Sequence, residues 1–455
     1  MKNPGMKFLS AGLAIWAASS AFGDVAFAKV SPQEAEKLKT TLTPLGGEKA
    51  GNPTGSIPAW TGGLDQPEPV KQIDVFADPF AAEKPLFTIT AQNAAQYADQ
   101  LSEGAKALLA KFPDSFRMDV YPAHRTAAVR PSIYDGTFKN ATQATLVNHI
   151  PVGSWGGIPY PIPADAEEIM WNHNLRWNVP ESRWRAKGWL VTSSGQPVLT
   201  SDVKLSFSFP SVNEELRPGQ NDKIWEKIRF EYMGPPIRAG EGFLSHFGYN
   251  PEDDASWTYL TGQRRVRKVP TACCDTPHPA TAGVLGFDEV YVFNGRTNRF
   301  DWTLVGKKEM YIPYNSYKGI NLASDTDFFG PQHINPDAER WELHRVWVVE
   351  ANLAQGYRHT APKARFYIDE DTWTAMLGDR WDTNGQLWKF SFNHIIQIPQ
   401  IPAYQTINFG YVDLIAGTQC FAGMYNDAKQ AKVVWVGKHP DDYFEPQALA
   451  GDGVR

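Results

Sequence analysis

From about Lys187 onward the hydrophobic residues change their spacing, and this change most constrains the fold. Upstream, Ala95, Ala98, Leu101, Ala105, Leu108 and Leu109 recur at helical intervals and predict an amphipathic helix over residues 90–111. Downstream the period is two. Trp341, Leu343, Arg345, Trp347 and Val349 alternate with Glu342, His344, Val346, Val348 and Glu350. Ala364, Phe366 and Ile368 alternate with Arg365, Tyr367 and Asp369. Successive side chains of a strand face opposite ways, so these segments read as strands. Similar runs cover 224–233, 256–269, 289–293, 299–305, 387–397 and 431–436. Ser194-Gly195, Asn294-Gly295 and Asn384-Gly385 read as hairpin turns between them. Strands joined by such short turns pair antiparallel.

The expected fold is therefore mainly β with helices (α+β): a large curved antiparallel sheet, or half-barrel, plugged or capped by helices. Residues 29–455 read as one large domain, with an extended arm and helices in 29–154 and the sheet in 155–455. Ser31-Pro32-Gln33-Glu34 carries a capping Ser, a first-turn Pro and a Glu in reach of a capping box. Residues 132–146 and 164–177 read as further helices. The Gly- and Pro-rich stretch 43–65, with Trp60 near its end, reads as an arm that must lie on another surface to be ordered.

Lys2 and Lys7, an apolar run from Phe8 to Phe22, and Ala26-Phe27-Ala28 form the pattern of a secretory signal peptide, residues 1–28, cleaved after Ala28. No later window approaches the length of a membrane-spanning helix, so the expected mature protein is soluble and periplasmic, without a transmembrane segment. Three cysteines, Cys273, Cys274 and Cys420, leave one unpaired in an oxidising compartment. One of the adjacent pair is expected to bond Cys420; a bridge between the neighbours themselves is the alternative.

The 44 Lys and Arg nearly balance 50 Asp and Glu, so the chain has no broad basic field for nucleic acid. It has no Gly-x-Ser-x-Gly, His-Glu-x-x-His, Walker or dinucleotide motif, and no cofactor or metal is expected. Ser201 and Lys204 match a Ser-x-x-Lys pattern but sit in an expected strand, where residues three apart face opposite sides. The ten His are scattered, and His344 shares a strand face with Glu342 and Glu350. Carboxylates cluster at Asp253-Asp254, at Asp325 with Asp327, and at Asp369-Glu370-Asp371. Each cluster reads either as a solvated turn or as an acid/base pair. Arg264, Arg265, Arg267 and Lys268 put positive charge on both faces of a strand end. They belong at a rim, either meeting an anionic group or partner or guarding an edge against aggregation.

Aromatic residues make up 13% of the chain, and 44 of them fall within residues 155–455. Rings at period two form either sheet core or the wall of an apolar cavity. The candidate cavity side chains are Phe230, Trp257, Tyr259, Trp302, Trp341, Trp347, Phe366, Trp388 and Phe390.

Several stretches resemble a known family. Thr43-Pro44-Leu45-Gly46-Gly47-Glu48-Lys49-Ala50-Gly51-Asn52, continued by Gly55-Ser56-Ile57-Pro58-Ala59-Trp60-Thr61-Gly62-Gly63, is similar to the N-terminal signature of the bacterial domain of unknown function 1329. Trp257-Thr-Tyr-Leu-Thr-Gly-Gln-Arg-Arg-Val-Arg267, Arg365-Phe-Tyr-Ile-Asp-Glu-Asp-Thr-Trp373 and Trp381-Asp-Thr-Asn-Gly-Gln-Leu-Trp388 resemble its internal motifs. Tyr443-Phe-Glu-Pro-Gln-Ala-Leu449 resembles its C-terminal one, with Glu445 where a small hydroxyl residue is expected. That family is distantly similar to the carrier and receptor of the lipoprotein localisation pathway. The resemblance implies a half-barrel closed by helices around an apolar cavity. It also implies partners of two kinds, an efflux-type inner-membrane transporter and an outer-membrane protein. It brings no established catalytic residues.

The expected function is a periplasmic carrier or chaperone that holds a lipid-like or hydrophobic molecule and passes it between envelope proteins. Two alternatives are a periplasmic hydrolase using a carboxylate pair or His344 as acid/base, and a structural adaptor whose arm docks on a transporter.

Overall fold

The alternating segments form strands that pair as their short turns dictate. In the computed structural model the described residues are 1, 30–73, 76–213, 223–269, 273–424, 426–427 and 434–451; the segment read as a signal peptide, residues 1–28, lies outside them apart from Met1. The main strands are β1 (Glu181–Val191), β2 (Pro197–Ser208), β3 (Ile224–Gly234), β4 (Gly242–Gly248), β5 (Ala255–Leu260) and β6 (Arg265–Val269). They continue as β7 (Phe300–Pro313), β8 (Trp341–Leu353), β9 (Lys363–Asp369), β10 (Ala375–Trp381), β11 (Leu387–Ile398), β12 (Ala403–Asp413) and β13 (Gln419–Met424). Short strands at 72–73, 87–89, 118–120 and 434–436 complete a 17-stranded sheet.

The spatial order is not the sequence order. The first six strands run outward from β1 to β6, each antiparallel to the last. The chain then crosses to the far edge and returns from β7 through β13, again antiparallel. β13 pairs with β1, Cys420 opposite Leu190 and Phe421 opposite Trp189. The sheet is thus open, with β6 and β7 at its edges. Short turns specify each local pairing, but the crossover alone decides which halves meet.

The crossover, residues 273–299, lies across one face. Ala280 accepts from the Thr200 hydroxyl of β2; Leu285 and Val290 pack with Phe409, Tyr411, Cys420 and Ala422 of β12 and β13. Farther along, Glu289 pairs with Lys389 of β11, and Phe293 meets Phe366 of β9 and Trp302 of β7. The period-two reading of 289–293 as a strand is corrected here. Phe287–Glu289 is a 3₁₀ turn, and Tyr291 and Val292 take φ of 53° and 72°, which no strand residue adopts. Asn294-Gly295 accordingly closes no hairpin, whereas Ser194-Gly195 and Asn384-Gly385 do.

Helices cap both faces. α1 (Glu103–Lys111) is cut from the expected helix over 90–111 because Leu101 is extended and Ser102 caps a new start, accepting from Ala105 N–H at 3.1 Å. The preceding turn, Ala94–Gln100, is 3₁₀. Ala105, Leu108 and Leu109 join Leu377, Phe390 and Phe392 in one buried cluster. α2 (Pro131–Gln143) starts with Pro at its first turn, and α3 (Ala166–Asn174) is capped by Asp165. Ile169 and Met170 of α3 belong to the cluster on the other face, with Val203, Phe230, Val349 and Phe366. Strands from both halves share that cluster, so the sheet curls around α3 and the crossover.

The expected bridge to Cys420 is also corrected. Cys273 bonds Cys274, and Cys420 is a free, buried thiol. Burial first raises its pKa, to about 12, so it is an inert core residue.

Candidate functional site

Two places in the fold combine chemistry with position. The first is an apolar cavity of about 70 Å³ where the crossover meets the sheet. Ala186, Val203, Leu205 and Phe230 of β1–β3 form one wall, Phe409 and Ala422 another, and Leu285, Val290 and Tyr291 of the crossover close it. His278, Ser201 and Thr281 are its buried polar members, and His278 is the titratable one among these three. Burial, with Arg238 nearby, lowers its pKa to about 3, so the ring is neutral. Met233 and Ile237 are exposed near this end of β3, where Arg238 donates to Pro279 O of the crossover.

The second place is a buried ionic cluster at the end of β8 and β9. β8 supplies Glu342, His344 and Arg345; β9 ends at Asp369, and the turn beyond it carries Glu370 and Asp371. Asp369 Oδ2 accepts from the Thr372 N–H at 2.9 Å and its hydroxyl at 2.8 Å, which folds the turn. Arg125 forks onto Asp371, Nη2 to Oδ1 at 2.6 Å and Nε to Oδ2 at 2.7 Å. Lys307 and Arg345 donate to Glu370 at 2.8 and 3.2 Å. His344 Nε2 lies 3.1 Å from Glu342 Oε2, and the Tyr314 ring stacks on the imidazole with centroids 3.9 Å apart. Burial opposes charge on His344, but the hydrogen bond to Glu342 and its charge outweigh it and raise the pKa. Asp369 is pushed up to about 7, first by burial and then by Asp371.

The N-terminal arm lies over this cluster. The Trp373 indole donates to Leu45 O at 2.7 Å, Glu48 N–H donates to Glu370 at 3.2 Å, and Arg345 donates to Ala50 O at 3.1 Å. Gly47 is required there because a Cβ would stand 2.7 Å from Asp371 Oδ1. Two signature stretches distant in sequence are therefore one contact in space. Two more also meet: Tyr259 is buried with Phe444 and Leu449, and Trp257 packs beside them.

Of the aromatic candidates, Phe230 lines the cavity. Trp302 and Phe366 pack with Phe293 in the core of the same face, and Trp347 stacks on Trp373 beneath Lys307. Trp341 and Phe390 belong to the opposite cluster, with Phe390 against Gly104 of α1. Trp388 is half-buried and donates to Asp413 Oδ2 at 2.8 Å. Trp341 and Trp347 share a stripe at period two but not a neighbourhood. β9 pairs with β8 only from Val346 onward, so Trp341 lies beyond that pairing and meets the 118–120 strand instead. Arg264, Arg265, Arg267 and Lys268 are exposed on the β5–β6 hairpin, β6 being an edge strand. Sequence reasoning missed the small cavity residues Ala186, Val203, Ala280 and Ala422. Rings fill space, and cavities form where side chains stop short.

The chain matches the family described as protein of unknown function DUF1329 over residues 88–450. It belongs to that family. Over 445 residues this DUF1329 chain is 39% identical to uncharacterized protein PA3922 of Pseudomonas aeruginosa, covering 94% of this chain and 95% of that one. Among solved structures it is similar to a DUF1329 family protein from Desulfovibrio piger, at 14% identity and a TM-score of 0.39, covering 60% of this chain and 92% of the other. It is also similar to LolA superfamily protein NE2245 from Nitrosomonas europaea, at 10% identity and a TM-score of 0.35, covering 62% and 98%. Among the described residues no helix is long and apolar enough to cross a membrane.

Proposed function

We propose that this DUF1329 protein is a periplasmic carrier that holds the apolar part of a lipid-like molecule between its curled sheet and the crossover, and passes it between envelope proteins. The observation that carries the reading is the apolar cavity at that contact, walled by Val203, Leu205, Phe230 and Phe409. At about 70 Å³ it is roughly half the volume that accommodates benzene in an engineered core. An elongated ligand would therefore take the place that Leu285, Val290 and Tyr291 occupy, exchanging one set of apolar contacts for another at about 25 cal/mol per Å². The exposed Arg264–Lys268 edge would meet an anionic group or an envelope partner such as an efflux-type transporter.

The test is native mass spectrometry of protein isolated from a Gram-negative periplasm. Wild-type protein should carry a lipid-sized adduct, and Ala186→Trp, which fills the cavity, should lose it. Adduct-free wild type, or equal loading of both, would count against the carrier.

One observation favours a catalytic reading. His344, Glu342, Asp369 and Asp371 converge as acid/base chemistry needs. All four are buried, so a substrate would reach them only with the arm lifted. Hydrolysis of a chromogenic acyl ester that survives in wild type and disappears in His344→Gln would support it.

A further inference from the structure

We propose that His344, Asp369 and Asp371 bind one divalent transition-metal ion of the zinc class beneath the N-terminal arm. Their donor atoms all lie within 4.8 Å of one another, and all three side chains are buried. Asp369 is the telling member. Its Oδ2 is satisfied by Thr372, but Oδ1, in a fully buried side chain, has no hydrogen-bond partner. That oxygen lies 3.9 Å from His344 Nδ1. The gap is too wide for a hydrogen bond. Zinc bonds to imidazole nitrogen and carboxylate oxygen are about 2.0–2.2 Å each, so one tetrahedral ion spans about 3.4 Å and the two atoms would close by about half an ångström around it.

The surroundings prepare His344 as a ligand. Its Nε2 faces Glu342, which fixes the proton on that nitrogen and leaves the Nδ1 lone pair toward Asp369. Glu342 is itself held by Arg340 at 2.6 Å, Asn315 at 3.0 Å and the His124 N–H at 2.8 Å. Arg125 takes one lone pair from each Asp371 oxygen; an ionised carboxylate offers about four acceptor sites, so coordination capacity remains. Among the described residues Asp369 has no Arg or Lys within ion-pair distance, and His344 is its ion-pair neighbour. An ionised carboxylate so placed is costly, and a divalent cation offsets that cost. One imidazole with two carboxylates suits zinc, manganese or iron better than calcium. Because the arm covers Asp371 through Gly47, the ion would be captured as the arm docks.

The test uses the full chain, purified without chelators or metal-affinity steps, with metal content measured by inductively coupled plasma mass spectrometry. About one ion per chain is expected. After unfolding in EDTA, refolding with zinc sulfate should restore the ion, raise the melting temperature and protect residues 43–63 from proteolysis relative to refolding without metal. His344→Gln and Asp369→Asn should each lose the ion, while Glu231→Gln, far from the cluster, should keep it. Wild type that binds no zinc on refolding overturns the proposal whether or not the variants fold. Metal-free wild type with Asp369→Asn as stable as the parent would instead identify Asp369 as a neutral buried acid.

Discussion

His278 shows how much one side chain can set at the cavity. Its folded pKa of about 3 lies below the ordinary value near 6.5, so as pH falls the unfolded chain takes up a proton first. Its contribution is complete above pH 6.5 and is lost progressively toward pH 3. His173, also at about 3, and His439, at about 4, act in the same sense, burial being the leading cause each time. Each gives a slope of up to about 1.4 kcal/mol per pH unit. His278→Gln should flatten the decline of the urea midpoint between pH 6.5 and 4, and an unchanged slope would show that its ring takes up a proton as readily in the fold as in the unfolded chain. Gly104 is a second such residue. A Cβ there would meet Phe390 Cδ2 at 2.3 Å and Asp379 Oδ1 at 2.6 Å. Gly104→Ala should therefore cost about 1–3 kcal/mol in urea unfolding, although alanine favours a free helix. At this scale the sequence was legible in parts. It singled out His344 and Asp369-Glu370-Asp371 separately, but only the pairing of β8 with β9 joins them. It counted three thiols but could not know that β13 buries Cys420 under Leu285.

Among the elements, strands were the legible ones. β3, β7, β8, β9 and β11 form where the alternation placed strands, although β8 and β11 are buried at nearly every residue because apolar clusters lie on both faces of the sheet. The expected helix over 90–111 was harder, since its apolar spacing continues through Leu101 while the backbone breaks there for Ser102 to cap α1. The crossover was illegible for a related reason. Residues 289–293 alternate because they lie between polar anchors and an apolar sheet, not because they pair. Those anchors can be tested. Lys389 is 4% exposed and donates to both oxygens of Glu289 at 2.8 and 2.9 Å. Glu289→Leu should destabilise by about 3–5 kcal/mol because it leaves a buried ammonium unpaired. Adding Lys389→Met should recover most of that loss. Calorimetry on the single and double variants checks this, and two losses that simply add would show that the pair is not coupled.

For the molecule as a whole, the mainly antiparallel character could be read from turns and periodicity, but the joining of its two halves could not. That joining depends on contacts between residues such as Phe421 and Trp189, which no local pattern reports. The arm is a similar case. Its Gly and Pro content implied that it lies on another surface, and that surface is this chain's own β8–β9 end. Deleting residues 43–63 should lower the melting temperature markedly by uncovering Glu370, Arg345 and Asp371, and an unchanged melting curve would mean that the arm adds nothing to the fold.

The meeting of β13 with β1 also bears on how the chain is made. As the chain emerges, β1 comes early and finds β2 within moments, but the partner for its other edge is among the last strands to appear. Until then a row of unpaired amides and carbonyls stands open in what will become the middle of the sheet, inviting pairing with any neighbouring chain. Closure of that seam is the step at which crowding should divert this protein into aggregates, and at which a holding chaperone would help most.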